Sequence, residues 1–569
     1  LLSRGLGDVY KRQKYHILIK SIIMKIKRLY LLGIGLMFTS QFLTSCHDLL
    51  EKDPTDSYSE TVAWSSESSL DMYVTYLYKP LNGLSNFSSL SLTDGYTDLV
   101  KYGNGVPQTW SAHNKILLQQ NTITSDNNPM SSWGLYTDIF RENVFLRDAG
   151  IYGSKFSEDF LNTRIAEIRF IRAVNYARMI RIFGGVILRD ETNGVDSEGE
   201  KAKARATEAE SWDFVLKDLE FAAKHLPEEW DSKWDGRLTK GAAYAYMCRT
   251  ALFAKRWDIA ITAADEIKKL NKYDLMDEYK DVFKVAGNKE IIFSIAYKIP
   301  DMPHYFDRYF APDGKQGIRR AVPTSELADS YDMADGTPFS WSGSMAKDPY
   351  VGREPRFYAS IIYNGATWKE KTIYTYVDAE NGFAAYRDNM NPGEKQTVTG
   401  YFIRKYLQEN NTEFDDKGSD QFWIEMRYAE VLLNLAEALA EQDYAKNQDD
   451  ALEALNEVRR RVDLPERTTQ EAPDKDSFMK LLRKERICEL AFEGFRYWDL
   501  RRWRLAGEVI DGKQAHGTKI TKKDDNSYTY EQVSCDDNIN RFFPERYYLL
   551  PIPVDELQNN PLCENNAPW

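Results

Sequence analysis

Thr239-Lys240-Gly241-Ala242-Ala243-Tyr244-Ala245-Tyr246-Met247-Cys248-Arg249-Thr250-Ala251-Leu252-Phe253-Ala254-Lys255, with a second run that begins at Trp257 and lasts to Leu270, sets the fold class of this chain. Both runs are rich in alanine and are joined by very little. Small side chains at helical spacing let two backbones approach closely, so the pair reads as a tetratricopeptide-like helix hairpin. The repeat period is blurred along the chain, which argues against a regular solenoid.

Working outward, residues 211–225 predict a helix ended by Pro227. Residues 164–183 put Ala166, Phe170, Ala173, Ala177 and Ile180 on one side of another helix, stopped by Gly184-Gly185. Towards the C-terminus, Ile424, Tyr428, Val431, Leu432, Leu435 and Leu439 recur at three- and four-residue steps, which predicts a helix over 423–441; a second follows at 449–462. Helical hairpins are therefore expected within about 139–270 and 423–503. Between them, over about 279–422, short strand-like runs at 291–297, 357–363 and 401–406 are separated by Gly, Pro, Asn and Asp. The expected architecture is mostly α, a helical scaffold carrying a loop-rich insertion with short strands. Loops held on a rigid frame are where binding residues usually sit.

A formal net charge of −13 over 569 residues argues against nucleic acid as a partner, because a phosphate backbone calls for a basic face. Tyr (35) and Trp (13) are abundant, and their rings offer stacking surfaces suited to the flat C–H faces of sugars. Cys248, Cys488, Cys535 and Cys563 lack metal-type spacing, and the six His are isolated, so neither a zinc site nor a cofactor is expected. Cys248 and Cys488 fall in helical patterns and read as buried thiols, while a bridge between Cys535 and Cys563 stays open.

At the other end, Met24 is followed by Lys25, Lys27 and Arg28, an apolar run over 29–43, and then Leu43-Thr44-Ser45-Cys46. A basic start, a short apolar core, small residues and a cysteine make a lipoprotein signal peptide over 24–45, with Cys46 as the lipidated first residue of the mature protein. Acyl chains on that residue anchor it, each buried CH₂ adding about 0.8 kcal/mol. Residues 1–23 place Arg4, Lys11, Arg12 and Lys20 ahead of a complete signal and are expected to be a non-native leader.

The densest chemistry lies in Glu485, Glu489 and Glu493, four residues apart, with Arg486, Arg496, Arg501 and Arg502 nearby. Two such carboxylates could serve a glycosidase, which needs a pair roughly 5 to 9.5 Å apart. A general acid needs a raised pKa, however, and neighbouring guanidiniums lower it, so an arginine–carboxylate network that fastens one helix to its neighbours is the expected role. No Gly-x-Ser-x-Gly, His-Glu-x-x-His or phosphate loop is present.

Along nearly its whole length the chain resembles the RagB/SusD family of nutrient-uptake lipoproteins of Bacteroidetes. The resemblance rests on Cys46-His47-Asp48-Leu49-Leu50-Glu51 with Pro54 and Trp64; Arg169-Phe170-Ile171-Arg172-Ala173 running to Phe183-Gly184-Gly185-Val186; and Leu238-Thr239-Lys240-Gly241-Ala242-Ala243. It continues through Asp348-Pro349-Tyr350 and Arg353-Glu354-Pro355-Arg356-Phe357-Tyr358, with Glu354 where Asp is usual, then Arg427-Tyr428-Ala429-Glu430 with Ala436-Glu437-Ala438, the Glu485 to Trp503 block, and Leu550-Pro551-Ile552-Pro553 with Asn560-Pro561.

The resemblance implies a SusD-like domain over 46–569 with four tetratricopeptide-like hairpins, lipid-anchored on the surface of the outer membrane. It implies a binder of oligosaccharides that delivers them, without catalysis, to a SusC-like TonB-dependent transporter. A peptide-binding member of the same family and a glycoside hydrolase are the alternatives. It also implies a ligand face built from variable loops. Here the suppliers are expected to be residues 93–110, with Tyr96, Tyr102 and Trp110, and residues 300–341, with Tyr305, Tyr309 and Trp341, aided by Asp94, Asn104 or Arg308.

Overall fold

Alanine-rich, well-capped segments make the frame. In the computed structural model, which describes residues 60–89, 92–102, 112–120, 122–128, 130–192, 202–313, 321–379 and 397–569, the main helices are α1 (Glu67–Leu77), α2 (Tyr136–Tyr152), α3 (Glu158–Phe183), α4 (Glu208–His225), α5 (Lys240–Ala254), α6 (Trp257–Leu270), α7 (Tyr428–Arg460), α8 (Lys475–Glu489) and α9 (Arg496–Arg502). Their starts follow from local chemistry. The side chains of Ser157, Thr239 and Asp474 accept first-turn N–H groups of α3, α5 and α8, and Thr207 with Glu210 forms a capping box on α4. Gly184, at φ +71°, ends α3 where Gly184-Gly185 predicted. A Cβ on Gly185 would stand 2.0 Å from the Ala206 carbonyl oxygen, so the chain leading into α4 crosses where a side chain would block it.

Residues 66–569 pack as one unit. Within it α2 packs on α3, α3 on α4, α4 on α5, α5 on α6, α6 on α7 and α7 on α8, an unbroken succession of helix neighbours, and the fold is mostly α. Residues 1–65 form a separate unit, of which only 60–65 are described; the signal peptide, Cys46 and the leader lie outside the described residues.

Three expectations of the sequence change. Residues 423–427 are not the first turn of a helix. Trp-Ile-Glu-Met-Arg is a strand paired antiparallel with Ile291–Ile295, and α7 begins only at Tyr428. Its β-branched and aromatic residues meet a partner strand, and that pairing outweighs the helical period of the apolar residues. Asp443, with φ −167° and ψ 89°, breaks α7, so the second segment starts near Tyr444 rather than at 449. Residues 357–363 are likewise mostly a short helix, Pro355–Ser360, before the strand Ile361–Ile362.

The loop-rich part is pinned by short antiparallel pairs: β1 (Val100–Tyr102), β2 (Ile291–Ile295), β3 (Ala321–Pro323), β4 (Trp423–Arg427), β5 (His516–Lys522) and β6 (Tyr528–Ser534) pair as β1–β3, β2–β4 and β5–β6. Val100 opposite Pro323 and Tyr102 opposite Ala321 join the two stretches expected to supply the ligand face.

Candidate functional site

The β5–β6 hairpin is in register from Tyr528 opposite Lys522 to Ser534 opposite His516. Alternation along a strand puts Tyr528, Tyr530 and Gln532 on one face. Both tyrosines are half-buried, and each continues into other half-buried rings. Tyr528 lies 5.7 Å from Tyr376, which lies 5.7 Å from Tyr374. Tyr530 lies 6.5 Å from Trp341 at a 44° tilt, and Trp341 meets Phe339 edge-on at 5.3 Å. Beneath them the buried Tyr350 abuts Tyr530 edge-on at 5.6 Å. The result is a strip of partly open aromatic faces.

One carboxylate serves this strip. Asp329 Oδ2 accepts the Trp341 indole N–H at 2.8 Å and the Gln532 amide at 3.0 Å, fixing the indole plane. Its Oδ1 is buried with no hydrogen-bond partner. Burial pushes the carboxyl up to about 6, against the lowering effect of the Trp341 bond and of Arg353. Rings with one acceptor held among them are what orients a polyhydroxylated ligand on an apolar surface.

The residues expected from the sequence divide between surface and core. Trp341 is in the strip. Tyr305 is 37% exposed, with the Arg308 guanidinium 5.8 Å from its ring centre, and Tyr309 is half-buried. Tyr96 and Tyr102, at 6% and 5% exposure, lie in the core beneath the loops. Tyr96 packs on Tyr497 at 5.7 Å, and the Tyr102 hydroxyl accepts the Leu92 N–H at 2.6 Å, so neither offers an open face. Asp94 is also buried, accepting the Gly494 N–H. Trp110 and Asn104 lie outside the described residues. Tyr374, Tyr376, Tyr528, Tyr530 and Gln532 went unread in the sequence. Their signal was available: Tyr-Thr-Tyr occurs at 374–376 and again at 528–530, the second after an Asp-Asn-Ser turn, which is a hairpin pattern.

The glutamate column forms a buried network. Arg427 reaches Glu290 at 2.7 Å, Glu489 at 2.6 Å and Glu493 at 2.7 Å. Arg356 pairs with Glu354 and Glu485, each at 2.6 Å, and with Glu489 at 3.0 Å, while Arg459 also holds Glu485 at 2.7 Å. Arg461 binds Glu489 at 2.5 Å and Lys405 binds Glu493 at 2.6 Å. Burial alone would raise Glu489, but Arg461, Arg427 and Arg356 overcome it and hold the carboxyl well below its ordinary 4.5; Glu485 and Glu493 are lowered in the same way. These are permanent anions, whereas a general acid must hold a proton near neutrality. Glu493 lies past the end of α8, yet Phe492 and Gly494, both at positive φ, turn it back to the same arginine as Glu489. Cys535 and Cys563 are buried and not bridged to each other. No helix among the described residues is long and apolar enough to cross a membrane.

Comparison with known proteins agrees with this geometry. The family model of the SusD family matches residues 282–569, and one described as starch-binding associating with outer membrane matches residues 48–252. A SusD-like protein of Formosa agariphila is 27% identical over 463 residues, covering 78% of this chain and 82% of its own length. Among solved structures, a SusD-like protein of Bacteroides fragilis superposes with a TM-score of 0.74 at 28% identity, over 90% of this chain and 99% of that one. A SusD-like carbohydrate-binding protein of the same species superposes with a TM-score of 0.72 at 25% identity, over 88% and 99%.

Proposed function

Because the chain belongs to the SusD family, we propose that it captures oligosaccharides outside the cell and hands them, uncleaved, to a SusC-like TonB-dependent transporter, while lipid on Cys46 holds it at the surface of the outer membrane. The observation that carries glycan capture is the ring strip of Tyr374, Tyr376, Tyr528, Tyr530, Trp341 and Phe339, with the Trp341 indole held in plane by Asp329. Sugar C–H faces stack on such rings. Capture without cleavage is supported by the carboxylates of the signature helix, all tied to cations and acidic. The 25%-identical carbohydrate-binding relative supports the same ligand class.

The experiment is incubation of the purified protein with a glycan array, followed by calorimetry and reducing-end assay on the best glycan. Saturable binding with no new reducing ends is expected. Binding of oligopeptides alone would move the protein to the peptide-binding reading, and new reducing ends would make it a hydrolase.

A further inference from the structure

A second site is defined by charge. Between α3, α5 and α9 lies a cleft of about 430 Å³, lined by Arg178, Arg181, Arg249, Phe253, Trp498 and Arg502 among others. Most of its cations are matched by protein. Arg249 binds Glu425 at 2.5 Å and Glu430 at 2.7 Å, and Arg502 binds Asp499 at 2.7 Å and also Glu437. Arg486, also on the cleft wall, binds Asp499 at 2.8 Å.

Arg178 and Arg181 differ. They sit three apart on α3, hence on one side of it. Among the described residues Arg178 donates only to the main-chain carbonyls of Pro80 (3.5 Å) and Gly83 (3.1 Å). Arg181 makes no hydrogen bond to the described residues, and its Nε is enclosed without an acceptor. Its guanidinium lies 4.4 Å from the Trp498 ring centre and 5.9 Å from that of Phe253. Among the described residues no carboxylate pairs with either arginine. Burial lowers the pKa of both and outweighs the raising effect of Glu425, and of Asp138 on Arg178, neither of which pairs with them. Such a pair is costly unless an anion completes it.

We propose that this cleft is a subsite for one acidic sugar unit, a uronate or a sulfated residue, whose oxyanion is gripped by Arg178 and Arg181. Guanidinium forks match carboxylate and sulfate oxygens in paired hydrogen bonds. The volume suits one or two sugar rings, given that ligand pockets run from about 300 to 1,000 Å³. Phe253 and Met130 supply apolar walls for the ring. The sign of the charge excludes a metal ion, and a neutral sugar would leave two cations unanswered. The choice of sugar over another anion rests on the glycan-capture reading.

The test is calorimetry of the full-length protein with a glucuronate-containing disaccharide, glucose 6-sulfate, cellobiose and sodium sulfate, on wild type, Arg181→Gln and Arg178→Gln/Arg181→Gln. Saturable binding of at least one acidic sugar is expected, weakened at least tenfold in both variants and falling as NaCl rises from 50 to 500 mM, with no binding of cellobiose in the cleft. The variants should melt at or above the wild-type temperature, since an unpaired buried charge is removed; if one fails to fold, Arg181→Lys, which keeps the charge and loses the fork, is titrated instead, with weakened acidic-sugar binding expected, and binding equal to wild type overturns the proposal. Acidic sugars that bind equally to the double variant, or not at all, overturn it, as does sodium sulfate binding as tightly as either sugar. A wild type that binds neutral glycans through Trp341 and no acidic sugar defeats this inference alone. Binding of acidic sugars through Arg181, together with neutral-glycan binding that is untouched by Trp341→Ala, defeats the ring strip alone.

Discussion

Trp341 shows how much a single side chain combines here: its indole N–H is held by Asp329 while its ring stays half-open beside Tyr530. Asp329 links that geometry to pH. With its carboxyl pushed up to about 6, it is the full anion that fixes the Trp341 indole and the Gln532 amide only above that value. Glycan affinity is therefore expected to rise between pH 5 and pH 7 and to lose that rise in Asp329→Asn; calorimetry across the range checks it. Stability runs the other way. The folded state holds the Asp329 proton more tightly than the unfolded chain, so this group's contribution falls as pH rises from about 4 to about 6 and is flat above. Arg353, Glu326 and His516 are the charged groups that face it and stay in place in that variant. In the network, Glu489→Gln leaves Arg427, Arg461 and Arg356 facing one another with a neutral amide between them. A loss of about 3–5 kcal/mol is expected in chemical unfolding, the usual cost of breaking a buried pair from one side.

At the scale of elements, the β5–β6 hairpin is positioned by backbone contacts made by β5, the strand paired with the ring-bearing one. Thr518 N–H donates to Thr399 O at 2.9 Å and Val377 N–H to Ile520 O at 2.8 Å, so β5 is seated on the segments that carry Tyr401 and Tyr376. A Cβ on Gly517 would lie 2.4 Å from Thr399 Cα. Gly517→Ala is expected to cost about 1–3 kcal/mol and to weaken glycan binding while every ring remains; a paired melting and titration series separates the two effects. Helices were more legible in the sequence than this hairpin, for a physical reason. The alanine spacing and capping residues around residues 239–270 act within one turn, so the sequence states them locally. The strand at Trp423–Arg427 depends on Ile291–Ile295, which lies more than a hundred positions away, and its apolar spacing mimics a helix. Ring burial is non-local too: Tyr96 and Tyr102 sit in a Gly- and Asp-rich stretch that looks like surface loop, and only the packing of Tyr497 and the backbone of Leu92 reveals them as core. Trp341, flanked by Ser340 and Ser342, reads as a loop ring from the sequence, and packing against Phe339, Tyr530 and Asp329 leaves it half-buried.

Across the whole molecule the buried ion pairs join what the sequence separates. Glu354 and Arg356 come from the loop-rich part, Glu290 from just before β2, Arg427 from β4, Arg459 and Arg461 from the end of α7, and Glu485 and Glu489 from α8. The ligand-bearing loops are thus fastened to the helical frame by charges, and their anchorage depends on pH. Each lowered carboxyl contributes stability that is complete above its ordinary value, 4.5 for the glutamates, and is lost as pH falls through the lowered one. The melting temperature is expected to hold from pH 7 to about pH 5 and to fall steeply below about pH 4; a protein that melts unchanged at pH 3 would contradict the role given to the network. The most direct test of the central claim, capture of a glycan on the ring strip without cleavage, is calorimetric titration of the best array glycan into wild type and Trp341→Ala/Tyr530→Ala. Saturable binding to wild type with no new reducing ends is expected, and at least tenfold weaker binding to the double variant, about 1.4 kcal/mol or more. Equal affinity in the two proteins would contradict the claim.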